Sequence, residues 1–221
     1  RRQRQMCIRD SFVAGSAEVT SGAEVVMLCL PTPEGADGEA DMSYVLSVAR
    51  LLGSHLSPDA VVVNKSTVPV GSSRRVEEAI GRSDVKVVSN PEFLREGSAV
   101  QDFLHPDRIV VGSEDQEAAA LVAGLYQSLG APVIFTDPAS AETIKYAANA
   151  FLATKLTFVN TIAEICEAFG ADIRDVTLGM GYDHRIGFQF LKPGPGWGGS
   201  CFPKDTRALL AMAEQVGCDS R

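Results

Sequence analysis

Between residues 24 and 135 the chain alternates short apolar runs with segments of helical spacing. Glu24-Val25-Val26-Met27-Leu28-Cys29-Leu30 is stopped by Pro31-Thr32-Pro33. Ala60-Val61-Val62-Val63-Asn64 ends in Lys65-Ser66-Thr67, and Val85-Lys86-Val87-Val88 ends in Ser89-Asn90-Pro91-Glu92. Arg108-Ile109-Val110-Val111-Gly112 and Pro132-Val133-Ile134-Phe135 complete the series. Between the runs, apolar positions at Val45, Leu46, Val48, Ala49, Leu52 and Leu56 predict a helix over 43–56, with further helices over 72–80 and 116–129. Continuous branched aliphatic runs are strands buried on both faces. Their alternation with helices predicts an α/β fold built on a parallel sheet.

The pattern changes at Pro138. Residues 140–169 form one helical stretch without Pro or internal Gly, opened by Asp137-Pro138 and stopped by Gly170. Helices over 171–179 and 205–216 follow, separated by a loop rich in Gly and Pro over 181–204. The expected organisation is an α/β unit over 12–137 and a helical unit over 138–221.

Composition narrows the class. The chain has 221 residues, 45% hydrophobic and 22% charged, which is ordinary globular composition. A net charge of −8 argues against nucleic-acid or anionic-membrane partners. No apolar run approaches the roughly 20 residues of a membrane span. The five cysteines, at 7, 29, 166, 201 and 218, form no CxxC pair. That usage fits a reduced, cytoplasmic protein without a disulfide scaffold or metal site. Residues 1–11 stand apart, with four Arg against one Asp. This local +3 leaves −11 on the remainder of the −8 chain. The run has neither a signal-peptide core nor an amphipathic period, and is expected to be foreign to the protein.

Candidate chemistry gathers in three places. In an open parallel sheet, ligands bind at the carboxyl ends of the strands. Here those ends carry Thr32, then Lys65-Ser66-Thr67, then Asn90 and Glu92. On the long helix, Glu142, Lys145 and Asn149 share one face by their spacing of three and four. Apolar neighbours surround them, so a buried Lys or Asn there must be paired or functional. The third place is the loop from Lys192 to Asp205. Gly194, Gly196 and Gly199 satisfy GxGxxG, but no strand precedes them and prolines interrupt, so a dinucleotide fingerprint is rejected. Cys201 follows, with Lys204 and Asp205 close behind. A nearby cation and a helix starting just after it would favour a thiolate nucleophile. His55, His105 and His184 have no metal-ligand grouping.

These motifs carry a resemblance. Leu30-Pro31-Thr32-Pro33, Lys65-Ser66-Thr67-Val68-Pro69-Val70-Gly71 and Asn90-Pro91-Glu92-Phe93-Leu94-Arg95-Glu96-Gly97 occur in order. Glu142-Thr143-Ile144-Lys145-Tyr146-Ala147-Ala148-Asn149-Ala150-Phe151 and Gly198-Gly199-Ser200-Cys201-Phe202-Pro203-Lys204-Asp205 follow. From Ala23 to Gly217 the chain resembles the nucleotide-sugar dehydrogenase family. The resemblance implies a partial Rossmann-like sheet followed by a helical central, dimerising domain. It further implies NAD as cofactor and a nucleotide-sugar substrate, with UDP-glucose ahead of GDP-mannose or UDP-N-acetylmannosamine. The reaction implied is a four-electron oxidation of the sugar C6 alcohol to a carboxylate, through a thiohemiacetal and a thioester on a cysteine.

By the same resemblance Cys201 is the nucleophile. Lys145 and Asn149 stabilise the oxyanion, Asp205 and Thr67 hold or activate water, and Glu92 is a candidate base. Substrate contacts fall on Glu92, Phe93, Leu94, Arg95 and Glu96, on Lys145 and Asn149, on Phe190, Leu191, Lys192, Pro193 and Gly194, and on Gly198. Cofactor contacts fall on Thr32, Thr67, Glu96 and Lys204. Lys145, Lys192, Lys204 and Arg185 supply a local positive field for an anionic substrate. The helix 140–169 resembles the family's homodimer core, and a non-catalytic dimerisation module is the alternative reading. The family's opening βαβ with its glycine-rich turn and its C-terminal nucleotide-binding domain are not in this sequence. The chain is therefore expected to be a truncated piece with little activity alone.

Overall fold

The structure is a computed structural model that describes residues 20–35, 38–196 and 199–218. The expected foreign leader at 1–11, with Cys7, lies outside the described residues, as does Gly198. Five strands form one sheet among the described residues, in the order β1 (Val25–Leu28), β2 (Val61–Asn64), β3 (Lys86–Ser89), β4 (Ile109–Gly112) and β5 (Val133–Thr136). The helices are α1 (Ser43–Leu52), α2 (Ser72–Ile80), α3 (Ala99–Leu104), α4 (Gln116–Leu125), α5 (Pro138–Phe169), α6 (Ile173–Gly181) and α7 (Cys201–Gln215).

Strand alternation divides the core in two. Val62 and Val87 pack on one side with Val45, Ala49 and Leu52 of α1 and Val76 and Ile80 of α2. Val61, Val63, Val88 and Val111 pack on the other with Ala118, Ala119 and Val122 of α4. All four residues of β2 and of β4 are buried, as expected of strands covered on both faces.

One expectation needs correction. The sheet is not parallel throughout: β3 and β4 pair antiparallel, through Ser89 and Gly112, while β1–β2–β3 and β4–β5 are parallel. The β3–β4 connection carries only the six-residue α3. No sheet-covering helix brings the chain back to the starting edge there, so the next strand runs the other way. Sequence patterning passed over α3 because none of its residues is buried, so it has no apolar period.

Local signals start α5. The Asp137 side chain accepts from the Ser140 N–H at 2.8 Å, and Pro138 occupies the first turn, where no N–H is needed. Gly170 ends the helix with φ +71°. The helix starts against the end of β4, where a Cβ on Gly112 would lie 2.4 Å from Ala141 Cβ. Only glycine permits that approach. From there α5 runs past β3 and β4 on one side and packs against α7 on the other.

The last helix begins at Cys201, earlier than the Asp205 start read from the sequence. Pro203 does not prevent this, because it falls in the first turn, where the backbone N–H groups have no helical partner. Among the described residues, no helix is long and apolar enough to cross a membrane, and no cluster of metal-ligating side chains occurs.

Candidate functional site

A cavity of about 880 Å³ opens between the β3–α3 segment, the first half of α5 and the start of α7. Its volume suits a ligand larger than a simple sugar. Of the sequence candidates, Glu92, Phe93, Leu94, Arg95, Glu96, Lys145, Asn149, Phe190 and Cys201 all lie on its wall.

The α5 face is the organising element. Glu142, Lys145 and Asn149 are 3%, 4% and 8% exposed. Glu142 accepts from the Gly71 N–H at 2.6 Å, the Ser73 N–H at 2.9 Å, the Ser73 hydroxyl at 2.8 Å and the Ser89 hydroxyl at 3.0 Å. It therefore ties α5 to the start of α2 and the end of β3, and a carboxylate at a helix N-terminus is favoured. One turn on, Lys145 Nζ donates to Glu92 Oε1 at 3.0 Å and lies 5.4 Å from the Phe93 ring centroid. One turn further, Asn149 donates to Asp205 Oδ2 at 2.5 Å.

Asp205 does not reach the wall. It is buried behind it, held by Asn149 and by Lys204 Nζ at 2.6 Å. The Lys204 cation, read from sequence as support for a thiolate at Cys201, is thus engaged by Asp205. What remains beside Cys201 is the N-terminus of the fifteen-residue α7, an end that favours negative charge. Cys201 itself is exposed on the cavity wall. Gly199, two residues before it, has φ +79°, and an added Cβ would lie 3.4 Å from Glu96 Oε2. Glycine here allows both the turn and the close approach of Glu96.

Thr32 and Thr67 meet at the ends of β1 and β2, where the Thr32 hydroxyl donates to the Thr67 carbonyl at 2.7 Å. Thr67 lines a smaller pocket that also touches Lys145. Leu191 is buried, Lys192 and Pro193 are exposed away from the cavity wall, and the Gly194 N–H donates to Asn160 Oδ1 at 2.9 Å. Phe190 adopts φ +60°, a strained conformation for a bulky side chain, and its ring centroid is 6.3 Å from that of Phe202. Strain of this kind persists where the surroundings over-determine it, commonly at ligand sites.

Several wall residues had been given no role. Lys65 donates to the Asn90 carbonyl at 3.3 Å and to Asn90 Oδ1 at 3.2 Å. Burial holds its ammonium below the usual lysine range and Lys145 adds to the effect, while the negative charges of Cys29 and Glu92 oppose it. Arg108 stacks 3.7 Å from the Phe93 ring centroid. Tyr126 donates to Asn90 Oδ1 at 2.5 Å, and burial, then the Cys29 charge, pushes its phenol up to about 12. The position of Lys65 at a strand end was the one sequence signal available; Arg108 and Tyr126 offered none. The wall thus combines a thiol, an ammonium and an amide donor with Lys65, Arg95 and Arg108, set against Glu92, Glu96, Asp102 and Asp107. The thiol, ammonium and amide together are able to hold a developing oxyanion.

Known proteins carry the same plan. The profile of the UDP-glucose/GDP-mannose dehydrogenase family, NAD binding domain, matches residues 6–130, and that of the family's central domain matches residues 139–221. The chain is 52% identical to the UDP-glucose 6-dehydrogenase TuaD of Bacillus subtilis, covering 95% of this chain and 46% of that protein. It is 50% identical to the UDP-glucose 6-dehydrogenase of Pseudomonas aeruginosa, over 96% of this chain and 49% of that protein. The UDP-glucose dehydrogenase structure from Pyrobaculum islandicum superposes with a TM-score of 0.91 at 39% identity, over 98% of this chain and 52% of that one. The chain spans about half the length of the curated relatives it matches. With its two halves matched by the family's NAD binding and central domains, the chain belongs to the UDP-glucose/GDP-mannose dehydrogenase family.

Proposed function

We propose that this chain carries the catalytic middle of an NAD-dependent dehydrogenase that oxidises the C6 alcohol of UDP-glucose to the carboxylate. The observation that supports it most is the meeting of Cys201, Lys145 and Asn149 at one cavity wall, from two helices far apart in sequence. The carboxyl ends of β1 and β2 bring Thr32 and Thr67 together beside this site, and Glu96 lies against Gly199. That rim offers hydroxyl and carboxylate groups to the ribose and amide of a dinucleotide, so the residues present fit NAD. Two NAD molecules, bound one after the other, would supply the acceptors, one for each electron pair.

The chain's own groups do the rest. Lys145 and Asn149 hold the C6 oxygen as negative charge develops on it. The Cys201 sulfur adds to the aldehyde carbon, giving a thiohemiacetal, and the second oxidation leaves a thioester on Cys201. Water opens the thioester, releasing the carboxylate and restoring the thiol; Asp205, behind the wall, acts there through Asn149, while Thr67 faces the smaller pocket. Glu92, on the Lys145 ammonium, is placed to take a proton. Lys65 and Arg108 add positive charge for the diphosphate. UDP-glucose leads over GDP-mannose and UDP-N-acetylmannosamine because the relatives reported above are named for UDP-glucose.

Two copies are further proposed to pair through α5. Phe151, Phe158 and Ile165 recur every seven residues on it and are exposed, with Phe169 beyond them. A stripe of that size suits a partner helix.

The test is alkylation of Cys201 by iodoacetamide, located by mass spectrometry, with and without nucleotide sugars. UDP-glucose should slow it several-fold, more than GDP-mannose or UDP-N-acetylmannosamine. Equal protection by all three would overturn the substrate choice, and no protection by any would overturn the site.

A further inference from the structure

A second, much smaller void of about 10 Å³ lies behind Lys145, room for one water molecule. Its polar wall is formed by Asn64, Ser66, Thr67, Ser89, Glu142 and Lys145. Asn64 is the last residue of β2 and is 1% exposed. Neither its side-chain nitrogen nor its side-chain oxygen has a hydrogen-bond partner among the described residues. Burying an amide unpaired is costly, and asparagine is a poor strand former, so an apolar side chain would serve better if nothing bound there.

Of the other polar side chains of the wall, Ser66, Ser89 and Glu142 are already engaged. The Ser66 hydroxyl accepts from the Leu30 N–H at 2.8 Å. Ser89 donates to Glu142, which accepts three further bonds. Lys145 differs: its ammonium has three donor hydrogens and directs one to Glu92. Asn64 and Lys145, with the Thr67 hydroxyl, thus have hydrogen-bonding capacity to spare and border the same one-water space; of these, the Asn64 side chain is the one buried with both polar atoms unpartnered.

We propose that this void binds one ordered water, whose oxygen accepts a hydrogen bond from Lys145 and which is held by the Asn64 amide, so that Asn64 is a positioning residue for the Lys145 ammonium. This water is separate from any that would attack a thioester, because Cys201 lines the large cavity and not this void. The inference rests on where Lys145 lies, not on the dehydrogenase reading.

Two measurements on the chain test it. A high-resolution crystal structure should show a single water about 3 Å from both the Asn64 amide and Lys145 Nζ. Isotope-edited NMR should follow hydrogen exchange of the Lys145 ammonium in the parent, in Asn64→Leu and in Asn64→Ser. Asn64→Leu removes both polar atoms, so the water should be lost and exchange at Lys145 Nζ should quicken several-fold. Asn64→Ser keeps a hydroxyl and should give a smaller change in the same direction. Glu92, Lys65 and Glu142, the other charged groups near Lys145, are unchanged in both variants. A dry void in the parent overturns the proposal, as does an exchange rate unmoved in Asn64→Leu. Should that variant not fold, an unchanged Asn64→Ser overturns it equally. Neither readout needs turnover, so failure here is distinguishable from failure of the proposed reaction.

Discussion

In the middle of the sheet, β2 and β4 press branched aliphatic side chains against helices on both sides. At the end of β3, where α5 crosses it, the buried groups are instead Ser89, Asn90, Glu142 and Lys145. Both regions are shut off from bulk solvent, yet they are held by different physics. Apolar burial is non-directional, and any side chain of the right size contributes. The polar seam works only if each buried donor meets a particular acceptor, and each unmet group costs more than the bond it would have made. The seam is also where the candidate chemistry lies. Rigidity there sets how Lys145 faces Glu92 and Asn149 faces Asp205, as a preorganised site requires.

The largest expected effect comes from breaking the seam. Glu142→Ala removes the acceptor of four hydrogen bonds and leaves the Gly71 and Ser73 N–H groups unmet. It should destabilise the fold by about 3 kcal/mol in urea denaturation, the scale of an unpaired buried group. Val110→Ala, in the fully buried β4, should cost about 2 kcal/mol, the loss of two methyls and a small cavity. If the valine proves costlier than the glutamate, the directional account of the seam is wrong.

Tyr126→Phe gives the smallest effect and sharpens the contrast, because it removes one hydrogen bond and almost no volume. About 1 kcal/mol should be lost near neutrality. The phenol is pushed up to about 12, above the roughly 10 of a free tyrosine. The folded state therefore holds this proton more tightly than the unfolded one. That contribution is complete below pH about 10 and is lost as pH rises towards about 12. Parent and variant should converge in stability across this interval when denaturation is repeated at rising pH.

Much of this protein was legible from residue order. Periodicity located the five strands and most helices, because side-chain direction in a strand or helix repeats at a fixed interval. Asp137-Pro138 and Gly170 marked the ends of α5, because caps are local chemistry. The shared face of Glu142, Lys145 and Asn149 followed from helix geometry, and the ordered motifs pointed to the family. What pattern could not carry was direction and partnership. A buried strand has the same alternation whichever way it runs, so the antiparallel β4 emerged only with the folded chain. The partners of Glu142, the engagement of Lys204 by Asp205, and the unpaired Asn64 beside Lys145 were equally invisible. Each depends on which distant segments meet, and a buried polar group takes its role from the neighbour that folding brings to it.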